Sequence, residues 1–155
     1  MAEPVFALSF SRVNTDLLAA LVLHIEDDEA VARSTRLLLL SAGYRSLMAA
    51  DRSQTLALIQ QGHRPDVLLV DFHLGNGSTG MEVAEEIMHQ VGFSIPVILL
   101  TADLPNIEVP WMPGAPLLLA SKPMLPQALL EAIEHFGILQ RLARNRAVAP
   151  ATAQH

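Results

Sequence analysis

The side chains best suited to bind ligands or to react directly follow apolar segments of the chain. Asp71 follows Val67–Val70, and the pair Glu26 and Asp27 follows Leu21–Ile25. Apolar runs of this length are typical of strands that are buried on both faces of a parallel sheet. Ligands of open α/β sheets bind beyond the carboxyl ends of such strands. We therefore expect these three carboxylates to meet at one edge of a sheet.

A hydroxyl group and an ammonium group follow two further apolar segments, at Thr101 and Lys122. Mg²⁺ prefers oxygen ligands and usually links carboxylates to a substrate phosphate. Aspartate acts as a nucleophile toward phosphorus in some ATPases. The pattern predicts that Glu26, Asp27 and Asp71 bind Mg²⁺, that Asp71 attacks phosphorus, and that Lys122 and Thr101 bind phosphoryl oxygens.

Segments with helical spacing separate the apolar runs, and this alternation is typical of an α/β fold. The predicted strands are Leu21–Glu26, Tyr44–Ala49, Asp66–Asp71, Pro96–Thr101 and Leu117–Ser121. Asp51 or Ser53 caps the second helix, and Ser78 or Thr79 caps the third. A first helix begins near Asp28, and its predicted buried face consists of Val31, Thr35, Leu38 and Leu39. The last helix begins near Pro126 and runs toward Arg144.

One interval does not follow this alternation. The interval from Asp103 to Pro116 contains four prolines, the last of them Pro116, and Gly114. Each proline removes a backbone donor that the interior of a helix needs. The fourth helix is therefore expected to be reduced, irregular or missing.

The size and composition of the chain indicate one domain. Its 155 residues are 51% hydrophobic, with no cysteine and a formal net charge of −6. We expect an N-terminal extension over 1–20, one domain over 21–146 and a disordered tail over 147–155. A signal peptide, a membrane span and nucleic-acid binding are not expected, although Arg141, Arg144 and Arg146 cluster near the C-terminus. The absence of cysteine fits a cytoplasmic protein.

Four of these motifs together resemble a known family. In order and spacing, Glu26-Asp27, Asp71, Thr101-Ala102 and Lys122-Pro123 are similar to the receiver domain of two-component response regulators. The resemblance covers residues 21–144, and the loop 71–82 is similar to that of receivers attached to hybrid histidine kinases. It implies a flavodoxin-like, doubly wound, five-stranded parallel sheet of order 2-1-3-4-5. We also predict positive φ angles for three loop glycines, Gly75, Gly77 and Gly80.

The resemblance assigns roles to individual residues. Asp71 would take a phosphoryl group from the phosphohistidine of a histidine kinase, or exchange it with a histidine phosphotransfer protein. The backbone carbonyl of His73 would complete the Mg²⁺ ligands Glu26, Asp27 and Asp71. Thr101 would move toward the phosphoryl group and Lys122 would pair with it. The protein would then be a signalling protein, not an enzyme, and would act on an effector protein.

The chain departs from the family pattern at Leu119, where many receivers carry an aromatic residue three positions before the lysine. Together with the proline-rich interval, this points to signalling through 103–116 or the first helix. Only a short tail follows Arg144, which suggests a stand-alone receiver or one excised from a hybrid kinase.

Two other functions remain open. One is a pseudo-receiver that binds proteins without being phosphorylated. The other is a Mg²⁺-dependent phosphatase of the haloacid dehalogenase type. Such phosphatases place a second aspartate two residues after the nucleophile, where this chain has His73. We also predict the positions of two histidines. His24 is expected to be a core or edge residue, and the His73 side chain is expected to face the pocket around Asp71.

Overall fold

Five short apolar segments pair as one parallel sheet. The computed structural model describes residues 20–75, 77–103 and 114–148. The strands are β1 (Leu21–Ile25), β2 (Arg45–Ala49), β3 (Val67–Asp71), β4 (Val97–Thr101) and β5 (Leu117–Ser121). Their order is β2-β1-β3-β4-β5, which confirms the expected topology. The predicted strand bounds differ from these by no more than one residue at either end.

Four helices are present in the described part of the chain: α1 (Glu29–Ser41), α2 (Arg52–Gln60), α3 (Gly80–Val91) and α4 (Pro126–Val148). The side chains of Asp28, Asp51 and Thr79 accept hydrogen bonds from backbone N–H groups in the first turns of α1, α2 and α3. These bonds satisfy donors that a helix start otherwise leaves without partners. Polar residues therefore set where each of these helices begins.

The sheet has a hydrophobic core on each face, because successive side chains of a strand point in opposite directions. Leu23, Leu68 and Leu99 pack on one face with residues of α2 and α3. Val22, Leu69 and Ile98 pack on the other face with residues of α1 and α4. All six are fully buried, so the strands are covered on both sides.

The buried face predicted for α1 was wrong at Val31, which is 42% exposed. Leu39 is the one fully buried side chain of this helix, and Leu38 packs partly against the core. The first turn of α1 follows the exposed residues Asp27 and Asp28 at the edge of the sheet. Val31 therefore stays in contact with solvent.

Several expectations fall outside the described residues. The predicted reduced helix lies mostly in 104–113, and the described residues on either side of that stretch are not helical. The expected extension and tail likewise fall almost entirely on residues 1–19 and 149–155. No helix in the three described ranges is long and apolar enough to cross a bilayer.

Candidate functional site

The carboxylates reach one edge of the sheet through the strands that precede them. Asp71 is the last residue of β3, which lies between β1 and β4. Glu26 follows β1 and continues its ladder, since its N–H donates to the carbonyl of Ala49 at 2.9 Å. The Glu26 side chain is buried, whereas Asp27 is exposed. Parallel pairing therefore brings both acidic segments to the carboxyl ends of neighbouring strands.

Three carboxylates and one ammonium group form a compact cluster at this edge. One oxygen from each of Glu26, Asp27 and Asp71 lies within 4.8 Å of the other two. The Nζ of Lys122 lies 2.8 Å from Oδ2 of Asp71 and 3.3 Å from Oε1 of Glu26. The second oxygen of Glu26, Oε2, is buried and has no hydrogen-bond partner among the described residues. An orphaned buried oxygen beside two other carboxylates fits a divalent cation, which would supply the missing partner.

The electrostatics of the cluster depend mainly on the burial of Glu26. Burial, followed by the hydrogen bond and negative charge of Asp71, raises the pKa of Glu26 to about 7, although Lys122 acts in the opposite direction. Burial lowers the pKa of Lys122, but its hydrogen bond to Asp71 and the charges of Asp71 and Glu26 outweigh this and raise it. Lys122 therefore stays protonated at neutral pH and offsets part of the carboxylate charge.

His24 is a buried neutral group close to this cluster. It is 2% exposed, and its Nδ1 has no partner among the described residues. Burial, and then the positive charge of Lys122, lowers the pKa of His24 to about 4, while Asp71 acts to raise it. The position agrees with the expectation of a core histidine. Its influence on the charge of the site was not apparent from the sequence.

Thr101 and Lys122 lie next to each other at the ends of β4 and β5. The N–H of Lys122 donates to the carbonyl of Thr101 at 2.8 Å, and the following peptide bond, Lys122–Pro123, is cis. Thr101 is fully buried, and its hydroxyl accepts a hydrogen bond from the N–H of Asp103 at 3.1 Å. The structure thus brings Lys122 into the carboxylate cluster, while the Thr101 hydroxyl is engaged with the chain that follows β4.

His73 lies on the loop directly after Asp71. Its N–H donates to Oδ1 of Asp71 at 3.3 Å, and its backbone forms an antiparallel bridge with Thr79. The exposed His73 ring makes an edge contact with Phe72, at 4.8 Å between ring centroids. The loop is therefore folded back on itself, with the backbone of His73 beside the Asp71 carboxylate.

Two loop glycines have a different role from the one expected. Gly77 has a φ of 79°, as predicted, but the prediction of positive φ was wrong for Gly75 and Gly80. A Cβ on Gly80 would overlap the carbonyl oxygen of Asp71, and one on Gly75 would lie 3.1 Å from Oδ2 of Asp27. Space, rather than backbone conformation, explains glycine at position 80, whereas a Cβ at position 75 would require a small shift of the Asp27 carboxylate. A sequence pattern cannot report this, because the close approach depends on how the loop folds against Asp71 and Asp27.

Comparison with known proteins agrees with this geometry. Residues 22–134 match the response regulator receiver domain family. The chain is 27% identical over 130 residues to the phyllosphere-induced regulator PhyR of Methylorubrum extorquens, a match that covers 83% of this chain and 48% of PhyR. It spans less than half the length of the curated relatives that it matches.

Solved structures share the fold. The N-terminal domain of a response regulator/sensory box/GGDEF protein from Carboxydothermus hydrogenoformans has a TM-score of 0.67 at 24% identity, covering 82% of this chain and 98% of that domain. The anti-anti-sigma factor PhyR from Bartonella quintana has a TM-score of 0.66 at 26% identity, covering 84% of this chain and 52% of that protein. The first similarity supports the fold alone, and the second extends over just part of the relative.

Proposed function

The chain belongs to the response regulator receiver domain family, and from this premise we propose that Asp71 accepts a phosphoryl group in a two-component phosphorelay. The donor is the phosphohistidine of a histidine kinase or of a histidine phosphotransfer protein. The observation that carries the proposal is the carboxylate cluster, in which Lys122 contacts both Asp71 and Glu26. Domain bounds of 21–146 are proposed on the same basis.

In the transfer step, an Asp71 carboxylate oxygen attacks the phosphorus of the phosphohistidine. A P–O bond forms, the P–N bond breaks, and the electron pair of that bond returns to the imidazole, which takes up a proton. Asp71 suits this role because its carboxylate ends a buried strand yet remains partly open to solvent. Lys122 is already placed at 2.8 Å from Asp71 and would follow the new phosphoryl oxygens by a small movement of its Nζ.

The residues that would hold Mg²⁺ are Glu26, Asp27 and Asp71, with the backbone carbonyl of His73. Three oxygens within 4.8 Å of one another and the orphaned Oε2 of Glu26 support this assignment. When bound, the ion would neutralise charge on the transferring phosphoryl group. Gly75 leaves the Asp27 carboxylate free to turn toward the site, because a larger residue would crowd its Oδ2.

Phosphorylation would be read out through Thr101 and Lys122. The Thr101 hydroxyl would exchange its bond with the Asp103 N–H for one with a phosphoryl oxygen, and this exchange would release the start of the segment after β4. The phosphoryl group adds roughly −1.5 to −2 charges, enough to bias two arrangements of a loop. The coupling thus connects the site to the chain beyond Asp103.

Protein contacts are the proposed output. PhyR of Bartonella quintana is called an anti-anti-sigma factor, and we infer by similarity that this chain also acts on an effector protein. The exposed apolar side chains of α1 support its predicted part in partner contact, since Leu37 is 62% and Leu40 is 67% exposed. A net charge of −6 does not favour DNA as the partner.

The decisive experiment incubates the protein with Mg²⁺ and acetyl phosphate and measures its intact mass. One added phosphoryl group is expected for the unmodified chain and none for Asp71→Asn. Asp28→Asn is the matched control, because it loses the same charge beside the acidic pair and asparagine caps a helix as well as aspartate does. Asp28→Asn should be phosphorylated like the unmodified protein.

Other outcomes favour the two alternatives. An unmodified mass together with no Mg²⁺ binding by calorimetry would indicate the pseudo-receiver. Continuous release of phosphate from small phosphomonoesters, abolished in Asp71→Asn, would indicate the phosphatase. A phosphoryl group that persists in Asp71→Asn would contradict the assignment of the acceptor.

A further inference from the structure

A second set of charged side chains lies at the opposite edge of the sheet. Arg45 begins β2, and Asp66 immediately precedes β3, so both lie where strands start. With residues of α4 they line a pocket of about 250 Å³, formed by Arg45, Arg64, Asp66, Arg141, Arg144 and Asn145. We call this the arginine pocket. Five residues of strand separate it from Asp71 by about 16 Å.

Arg45 already has an interaction partner, and the other arginines that line the arginine pocket outnumber its carboxylates three to one. Asp66 is its one lining carboxylate, and this group is already engaged by Arg144 at 2.8 Å and by the N–H of Leu21 at 2.8 Å. Arg64 donates to the backbone carbonyls of Ile59 and His63, which carry no net charge.

Arg141 is the clearest sign of a missing partner. Its Nε is buried and has no hydrogen-bond partner among the described residues. Leaving a buried donor unpaired is costly, and the cost is greater for a charged group. An anion in the arginine pocket would offset part of this cost through its charge.

An apolar groove adjoins the arginine pocket. Its volume is about 670 Å³, and it shares Arg64 and Arg144 with the pocket. Phe93 and Leu139 line the groove and are each 37% exposed, so the groove presents apolar surface to a ligand. Arg144 connects the two cavities, since it pairs with Asp66 and its guanidinium carbon also lies 5.1 Å from the centroid of the Phe93 ring.

We propose that these two cavities together bind a small amphipathic carboxylate, with its head group in the arginine pocket and its apolar chain in the groove. Guanidinium groups bind carboxylates through paired hydrogen bonds, as Arg52 binds Glu86 elsewhere in this chain. Asp66 would repel a doubly charged phosphate more strongly than a singly charged carboxylate.

The apolar groove suits a hydrocarbon chain better than a peptide. Pro96 and Pro116 line it and have no N–H groups, so a buried peptide backbone would lack donors on that side. The volume of the groove lies within the range of small-molecule sites.

The test titrates the full chain, isotopically labelled, with decanoate below its micelle-forming concentration, and follows the amide signals. Saturable shifts are expected for Ser94, Gly114 and Gln140, which line the groove, and not for Asp71. Arg141→Gln should weaken binding about tenfold, since it removes one charge-assisted contact. Leu139→Asn should also weaken binding, because it replaces an apolar contact of the hydrocarbon chain with a polar side chain.

Arg146→Gln is the matched control. Arg146 is exposed, lies on the same helix as Arg141, and lines neither cavity. Its substitution should leave decanoate affinity unchanged. Asp71→Asn should also bind decanoate normally, so this test and the phosphorylation test fail or succeed independently.

Four results would overturn the proposal. If decanol binds as tightly as decanoate, the arginines do not contribute to binding of the head group. If acetate binds as tightly as decanoate, the groove does not contribute to binding of the hydrocarbon chain. Tighter binding of an oligoglutamate peptide would assign the pocket to an acidic protein segment. Absence of shifts, with or without a dimer detected by sedimentation, would mean that the chain or a second copy covers the groove.

Discussion

At the carboxyl edge of the sheet one ammonium group contacts two of three clustered carboxylates, whereas at the amino edge four guanidinium groups line a pocket with one carboxylate. The same strands connect the two edges, and their interiors are apolar except for His24 and Ser46. Val22, Leu68 and Ile98, for example, are fully buried. A strand that is covered on both faces has room for charge at its ends alone, because burying an unpaired charge within it costs too much free energy.

The comparison also shows how differently the two edges are built. The carboxyl edge is crowded. The backbone at Gly80 lies so close to Asp71 that a Cβ would not fit, and Lys122 contacts two carboxylates. The amino edge is open, with a groove and a pocket that its own side chains do not fill. At about 16 Å and an effective dielectric constant near 20, one charge pair across the sheet interacts by about 1 kcal/mol. The two edges should therefore respond to substitution almost separately.

The largest expected effect tests the crowding of the carboxyl edge. Gly80→Ala should destabilise the fold by about 3 kcal/mol, because the new methyl group overlaps the backbone oxygen of Asp71 and contacts Val70, neither of which moves cheaply. Urea unfolding monitored by circular dichroism measures the loss. Gly77→Ala is the control: it has open space around it and a φ of 79°, so it should cost only about 1 kcal/mol. Equal losses at both positions would mean that this edge is not tightly packed.

A second prediction concerns the pH dependence of stability and distinguishes the contributions of two buried groups, Glu26 and His24. Between pH 4.5 and about 7 the raised pKa of Glu26 makes the folded state bind more protons than the unfolded state, so stability falls as pH rises. The lowered pKa of His24 has the opposite effect between about pH 4 and 6.5, where the unfolded state binds more protons. The two slopes should largely offset each other in the unmodified protein without Mg²⁺.

Glu26→Gln should uncover the contribution of His24. Its free energy of unfolding should rise by on the order of 2–3 kcal/mol from pH 4 to pH 6.5, whereas Asp28→Asn should keep the profile of the unmodified protein. Denaturant titrations at several pH values in the presence of a chelator provide the measurement. A flat profile for Glu26→Gln would show that His24 is not held neutral by the fold.

The smallest predicted effect tests the amino edge. Arg144→Gln should cost about 1–2 kcal/mol, because Asp66 is nearly buried and would lose its ion-pair partner, although Arg144 itself is 36% exposed. Arg146→Gln should change stability by less than about 0.5 kcal/mol. Both variants should be phosphorylated normally. Impaired phosphorylation of Arg144→Gln alone would show that the two edges of the sheet are coupled.

Much of the carboxyl edge could be predicted from the order of residues along the chain. Asp71 and Glu26 follow apolar runs, and parallel pairing brings the ends of such runs together whatever the detailed packing. The caps of α2 and α3 were also readable, because Asp51 and Thr79 act on donors only three residues away. The exposure of Val31 was not readable, since helical spacing does not say how far the sheet extends beneath a helix.

What the sequence determined by itself was therefore local pattern and strand order, which place Glu26, Asp71 and Lys122 at one edge. Tertiary structure alone decided which atoms meet there, including the orphaned oxygen of Glu26 and the space that glycine leaves at position 80. It alone decided that Arg45, Arg64 and Arg141, from three separate segments, line one pocket. The physical reason is that periodicity follows from neighbours along the chain, whereas burial, clash and unpaired charge depend on atoms that only the folded chain brings together.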